Sequence, residues 1–118
     1  MYSGELLDHF EHPRNAGELT DATSRCRIEN PACGDVLELT AKVIGDHIDD
    51  IRFRAKGCVP AMACASALTE MAKGRSVKQA RAINKDDVAR AVGGLPAASG
   101  HAAQLAIDAL RTVLDAKS

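Results

Sequence analysis

Residues 36–74 read VLELTAKVIGDHIDDIRFRAKGCVPAMACASALTEMAKG, and partway through them the spacing of apolar residues changes from every second position to a helical period. In the first part Leu37, Leu39, Ala41 and Val43 alternate with Glu38, Thr40 and Lys42. Gly45-Asp46 supplies a turn, and Ile51, Phe53 and Ala55 then alternate with Arg52, Arg54 and Lys56. Two strands with one apolar face, joined by a short turn, predict an antiparallel hairpin. After Gly57-Cys58, the residues Ala61, Cys64, Ala65, Leu68, Met71 and Ala72 fall on a helical spacing. Pro60 suits the first turn and Gly74 the end, so this is a buried, alanine-rich helix.

Upstream, a short strand around Arg25 to Glu29 makes three, Asn15 to Ser24 is a polar, glycine-containing loop, and Ser3 to Phe10 forms a short helix that Pro13 stops. Downstream, Ser76 to Ala82 and Asn84 to Val92 read as two short helices. Asn84 caps the second, and Asp86 and Asp87 sit favourably in its first turn. Gly93-Gly94-Leu95-Pro96 breaks the chain before a last helix from about Gly100 to Ala116, striped by Ala103, Ala106, Ile107, Leu110, Val113 and Leu114. Strands come first and helices follow. That order predicts an α+β fold, a small three-stranded antiparallel sheet covered on one face by helices, with an N-terminal helix and a long C-terminal one.

The 118 residues fit one domain, 1–118. Only Tyr2, Phe10 and Phe53 are aromatic, so the core is aliphatic and closely spaced. A net charge of −1 with interspersed signs gives no basic stripe for nucleic acid and no polybasic segment for an anionic membrane. No apolar run approaches bilayer length, and Met1 is followed directly by Tyr-Ser-Gly-Glu, which makes the cytosol the expected compartment. Four thiols in a reducing compartment, Cys26, Cys33, Cys58 and Cys64, serve more often as ligands, reactive groups or buried small residues than as disulfides. They form no C-x-x-C pair, so a zinc finger and a thioredoxin-type motif both fit poorly.

Cys33 lies in Pro-Ala-Cys-Gly-Asp just before a strand, with Asp35 two residues on. It reads either as a thiolate ligand with a carboxylate beside it or as an incidental cysteine in a turn. Cys58 stands where a strand gives way to a helix, so the helix N-terminus is expected to depress its thiol pKa and favour a ligating role over simple packing. His101 opens the last helix, where its ring could face whatever Cys58 faces. Exposed or hydrogen-bonded roles account better for His9, His12 and His47. Cys64 shares the apolar stripe of its helix and reads as core, and the face of Cys26 stays open. Thiolates, an imidazole and a carboxylate together can hold zinc or iron, or a sulfide-bridged iron cluster.

Asp8-His9-Phe10-Glu11-His12-Pro13-Arg14-Asn15, Pro31-Ala32-Cys33-Gly34-Asp35, Gly57-Cys58 with its alanine-rich helix, and Leu95-Pro96 followed by His101 resemble, in order, the iron–sulfur cluster assembly scaffold family of the IscU and NifU N-terminal type. The resemblance implies a protein that is not an enzyme in the usual sense. It receives sulfur from a cysteine desulfurase, binds iron and a transient [2Fe–2S] cluster, and passes the cluster to apo iron–sulfur proteins. It further implies that Cys33, Asp35, Cys58 and His101 are the ligands, with Asp35 keeping the cluster labile. Two positions depart from the family pattern. Ala102 replaces the cysteine that follows the histidine, a cysteine associated with sulfur acceptance, and Leu95-Pro96-Ala97-Ala98-Ser99 lacks the Pro-Pro-Val-Lys-type continuation a dedicated chaperone recognises.

Three readings follow: a cluster scaffold or carrier on those four residues; a Zn²⁺-stabilised sulfur acceptor or degenerate homologue lacking the third cysteine; and a thiol redox protein in which Cys58 is attacked by Cys26 or Cys64. Cys26 is also a candidate substitute for the absent thiol, and a homodimer sharing one cluster is left open.

Overall fold

The computed structural model describes residues 2–30 and 34–116. Its order is α1 (Gly4–Glu11), β1 (Ser24–Asn30), β2 (Asp35–Ile44), β3 (His47–Lys56), α2 (Val59–Ala72), α3 (Val77–Arg81), α4 (Lys85–Ala91), a 3₁₀ turn (Ala97–Ser99) and α5 (Gly100–Asp115). The strands form one antiparallel sheet in the order β1-β2-β3, with α2 and α5 packed on its apolar face. This is the predicted α+β arrangement.

Leu37, Leu39, Ala41 and Val43 are buried beneath those helices, as their alternation predicts. The third strand is longer than its sequence period indicates, beginning at His47 rather than near Ile51. Between Lys42 and Val43 the register shifts, so that Lys42 pairs with Asp50 and Val43 with Ile48. The bulge lets Ile48 and Ile51, three residues apart, both reach the core, and that irregular spacing hides the start of the strand from a period-two reading.

Asn15 to Thr23 is more firmly held than a polar loop suggests. Phe53 N–H donates to the Asn15 carbonyl at 2.9 Å and Gly17 N–H to the Phe53 carbonyl at 2.8 Å. The chain then crosses the outer face of the sheet. There Leu19 N–H meets Thr40 Oγ1 at 3.0 Å, Glu18 pairs with both Arg25 and Arg54, and Lys42 pairs with Asp21.

Helix α2 is buried on nearly every side, including Pro60, Ala61, all of Ala63 to Thr69, and Ala72. A helix enclosed by a sheet and two other helices needs narrow side chains all round, which is what its alanines supply. Its polar members are satisfied. Ser66 Oγ accepts Arg14 N–H at 2.8 Å and is hydrogen-bonded to His9 Nδ1 at 2.8 Å, and Thr69 Oγ1 donates to the Ser66 carbonyl at 2.8 Å. His9 Nε2, on the other side of the ring, faces Glu70 at 3.9 Å. The Arg14 guanidinium spans Asp8 at 2.6 Å and Glu70 at 3.6 Å. The Asp8 to Asn15 segment is thus a clasp that fastens α1 to α2.

Asn84 caps α4 as predicted, in a reciprocal pair with Asp87, and Ser76 with Gln79 does the same for α3. Along α5 the predicted stripe is buried, and so are Ala102, Leu105 and Ala109, because α5 touches the sheet on one side and α2 and α4 on the other.

Ser66→Ala leaves the His9 ring nitrogen and Arg14 N–H unpaired in a buried place, and is expected to lower unfolding stability by about 1–3 kcal/mol in urea titrations. Burial, helped by the Arg14 charge, holds His9 below its ordinary value of 6.5. The unfolded chain therefore takes up a proton there that the folded chain resists. That share of stability is present above pH 6.5 and is lost as pH falls below it, a slope that His9→Gln should remove from urea midpoints measured at pH 7 and pH 5.

Candidate metal centre

The starts of β2, α2 and α5 meet at one end of the sheet. Asp35 is the first residue of β2, Cys58 is the N-cap of α2, and His101 is the second residue of α5. Pairing of Val36 with Lys56 brings Asp35 beside the β3 exit, and Pro60 occupies the first turn of α2, where its missing N–H costs no helix bond.

Asp35 is 1% exposed, yet both its carboxylate oxygens are engaged. Oδ1 accepts the Cys58 backbone N–H at 2.9 Å, while Oδ2 lies 3.5 Å from Cys58 Sγ and 3.4 Å from His101 Nε2. Cys58 Sγ and His101 Nε2 are 3.9 Å apart. A tetrahedral ion with donor bonds of 2.0–2.3 Å separates neighbouring donors by about 3.3–3.8 Å. The three donor atoms therefore already stand close to the edges of one face of such a tetrahedron. Among the described residues, Asp35, Cys58 and His101 alone form a group of three or more donors this close together. One thiol, one imidazole and one carboxylate form a mixed set that suits zinc or iron. The buried carboxylate supplies negative charge that an arriving cation would neutralise.

Cys58 departs from its sequence expectation. Its thiol is pushed up, not down: burial is the main cause, and the Asp35 carboxylate adds to it. The helix N-terminus does act on the sulfur, through the Ala61 amide, but it does not win. A bound cation would reverse this balance, since it adds positive charge where now there is only a carboxylate.

Three of the four predicted ligands are thus brought together. Cys33 lies outside the described residues. Cys26 does not join them. Its Sγ donates to the Ala109 carbonyl at 3.3 Å, and Ala109 is eight residues past His101, about 12 Å along α5. Substitution of Cys26 for the missing thiol is therefore at odds with the fold, as is a Cys26–Cys58 exchange.

Cys64 is fully buried, as predicted, with its thiol pushed up to about 12 by burial and by the neighbouring Cys58. It begins about 9 Å further along the helix than Cys58, beyond disulfide reach. Cys26, Cys58 and Cys64 are all free thiols. Ala102 is 1% exposed, packed into the core beside His101. No described residue at the site was missed by sequence reasoning as a donor. What it missed is how Asp35 is held, for which the only sequence signal is the glycine before Cys58.

The model of the NifU-like N-terminal domain matches residues 1–116 of the chain. The iron–sulfur cluster assembly scaffold protein IscU 1 of Archaeoglobus fulgidus is 45% identical over 114 residues, spanning 97% of this chain and 74% of that one. The IscU scaffold protein of Escherichia coli K12 is 38% identical over 117 residues, spanning 96% and 91%. In structure, the N-terminal part of a nitrogen-fixing NifU-like protein from Brucella abortus superposes with a TM-score of 0.78, covering 96% of this chain and 91% of that one, at 15% identity. At that identity it supports the fold alone.

Because the Cys58 thiol must give up its proton to a metal, Zn²⁺ affinity is expected to rise with pH, by roughly tenfold per unit for each proton displaced. Competition titrations at pH 6.5 and 7.5 check this, with a shallower slope expected in Cys58→Ser and an unchanged one in Cys64→Ser.

Proposed function

Since the chain belongs to the NifU-like N-terminal domain family, we propose that it is an iron–sulfur cluster assembly scaffold, on which iron and sulfide are joined as cargo before passing to apo-proteins. The observation that carries this reading is the convergence of Asp35 Oδ2, Cys58 Sγ and His101 Nε2 at one end of the sheet. The proposed ligands are Cys33, Asp35, Cys58 and His101, the proposed cargo is a transient [2Fe–2S] cluster, and the proposed sulfur source is a cysteine desulfurase. In this role the chain works as a single domain, 1–118, and as a carrier rather than an enzyme. Among the described residues no helix is long and apolar enough to cross a membrane, and we place the work in the cytosol.

The residues divide the labour by chemistry. Cys58 and Cys33 bind through sulfur, and His101 presents Nε2 from the first turn of α5, so that its place depends on how the 3₁₀ turn delivers the helix. Asp35 offers a hard oxygen to a cargo otherwise held by soft donors, a mismatch that keeps binding loose enough for release. His101 is about one-third exposed, with the Asp35 carboxylate buried behind it, so cargo enters and leaves past the imidazole.

A second reading has its own support. At position 102 the buried methyl group of alanine stands where the resembled family carries a thiol, so this site has one sulfur fewer for a cluster. Two sulfurs, one imidazole and one carboxylate also close a tetrahedron around zinc, which would make the chain a Zn²⁺-holding sulfur acceptor.

Anaerobic reconstitution with ferrous iron, a cysteine desulfurase and cysteine separates the two. The scaffold reading expects stoichiometric iron and sulfide with visible charge-transfer absorption, lost in Cys33→Ser and in Cys58→Ser and kept in Cys64→Ser. A colourless product holding one zinc would replace it with the second reading.

A further inference from the structure

The backbone leaves β3 through Gly57 at φ +144°, a region that side-chain-bearing residues rarely adopt. A β-carbon at this position would lie 2.1 Å from Asp35 Oδ1, 2.8 Å from Asp35 Cγ and 3.0 Å from Asp35 Cα. These are overlaps, not contacts, and Asp35 has little freedom to relieve them. It is 1% exposed, its Oδ1 is fixed by the Cys58 amide at 2.9 Å, and its backbone is paired with Asn30 of β1, while the next residue, Val36, is paired with Lys56 of β3. The carboxylate occupies the space that any other residue at 57 would fill.

We infer that Gly57 is a positioning residue for the metal centre and acts through Asp35. Its missing side chain lets the carboxylate lie across the junction of β3 and α2, with Oδ1 committed to Cys58 N–H and Oδ2 alone turned toward Cys58 Sγ and His101 Nε2. Asp35 is therefore a one-oxygen donor. A carboxylate free to turn could grip a cation with both oxygens, whereas this one has a single oxygen to give unless it breaks a buried hydrogen bond. The metal part of the inference rests on the proposed function, but the placement of Asp35 by Gly57 does not.

Four versions of the whole chain test it: the wild type, Gly57→Ala, Asp35→Ala and the double variant. Each is unfolded in urea without metal and titrated anaerobically with Co²⁺, read by thiolate-to-cobalt absorption. Gly57→Ala is expected to weaken Co²⁺ binding by about 10- to 100-fold when Asp35 is present. When the Asp35→Ala change is already in place, the same substitution is expected to stay within about twofold. The urea midpoint should likewise fall further when Asp35 is intact than in the Asp35→Ala background, because the backbone cost of φ +144° is common to both and only the overlap with the carboxylate differs.

Equal losses in the two backgrounds, or no loss in either, would overturn the inference. If Gly57→Ala alone fails to fold, a folded double variant supports it and an unfolded one refutes it. A wild type that binds no Co²⁺ defeats the metal reading separately, and the urea comparison then decides whether Gly57 places Asp35.

Discussion

The hydrogen bond from Cys58 N–H to Asp35 Oδ1 ties the start of a strand to the start of a helix, and the arrangement at this end of the molecule depends on it. A carboxylate buried to 1% exposure is costly unless its oxygens are engaged. Here the backbone amide engages one oxygen, while the thiol and imidazole face the other. The same bond sets the distance between β2 and α2, so geometry that makes the site also makes the corner of the fold. Proximity of Asp35 adds to burial in making the Cys58 thiol harder to ionise, despite its place at a helix N-terminus.

Around that corner the packing is governed by width. Helix α2 is enclosed by α1, β3 and α5, and its alanines let all three come close. The polar groups inside this enclosure are confined to the clasp of Ser66, Thr69, His9 and the Arg14 and Asn15 segment. Ser66 and His9, with Glu70 nearby, bring together the residue types of a hydrolytic triad. Ser66 is fully buried and its oxygen is already bonded to the Arg14 amide, so their role is to fasten two helices.

Much of this was legible in the sequence, because the two hairpin strands and the last helix follow their hydrophobic periods and Gly, Pro and Asn mark the breaks. The beginning of β3 was not, since the bulge at Lys42 and Val43 replaces alternation with a three-residue step. The hold on Asn15 to Thr23 was also hidden, as it is made by backbone groups of Phe53 and by Thr40 rather than by any pattern within the loop. At the site, Asp35, Cys58 and His101 could be named from residue type and position. The sign of the Cys58 shift could not, because local reasoning saw the helix end and not the carboxylate and burial that outweigh it. The place of Cys26 likewise depended on which helix covered β1.

The bonds that anchor Asn15 and Gly17 to Phe53 have a counterpart near the turn. There Ile48 N–H donates to the Arg75 carbonyl at 2.8 Å and Gly74 N–H to the Ile48 carbonyl at 2.9 Å. The outer rim of β3 is thus met by the protein's own backbone at two places, Ile48 and Phe53. Among the described strands this leaves β1, lined with Arg25, Arg27 and Glu29, as the rim without a strand beside it. Each stretch of the β3 rim taken up in this way is one fewer open edge on which a small, aliphatic protein could add strands into a fibre.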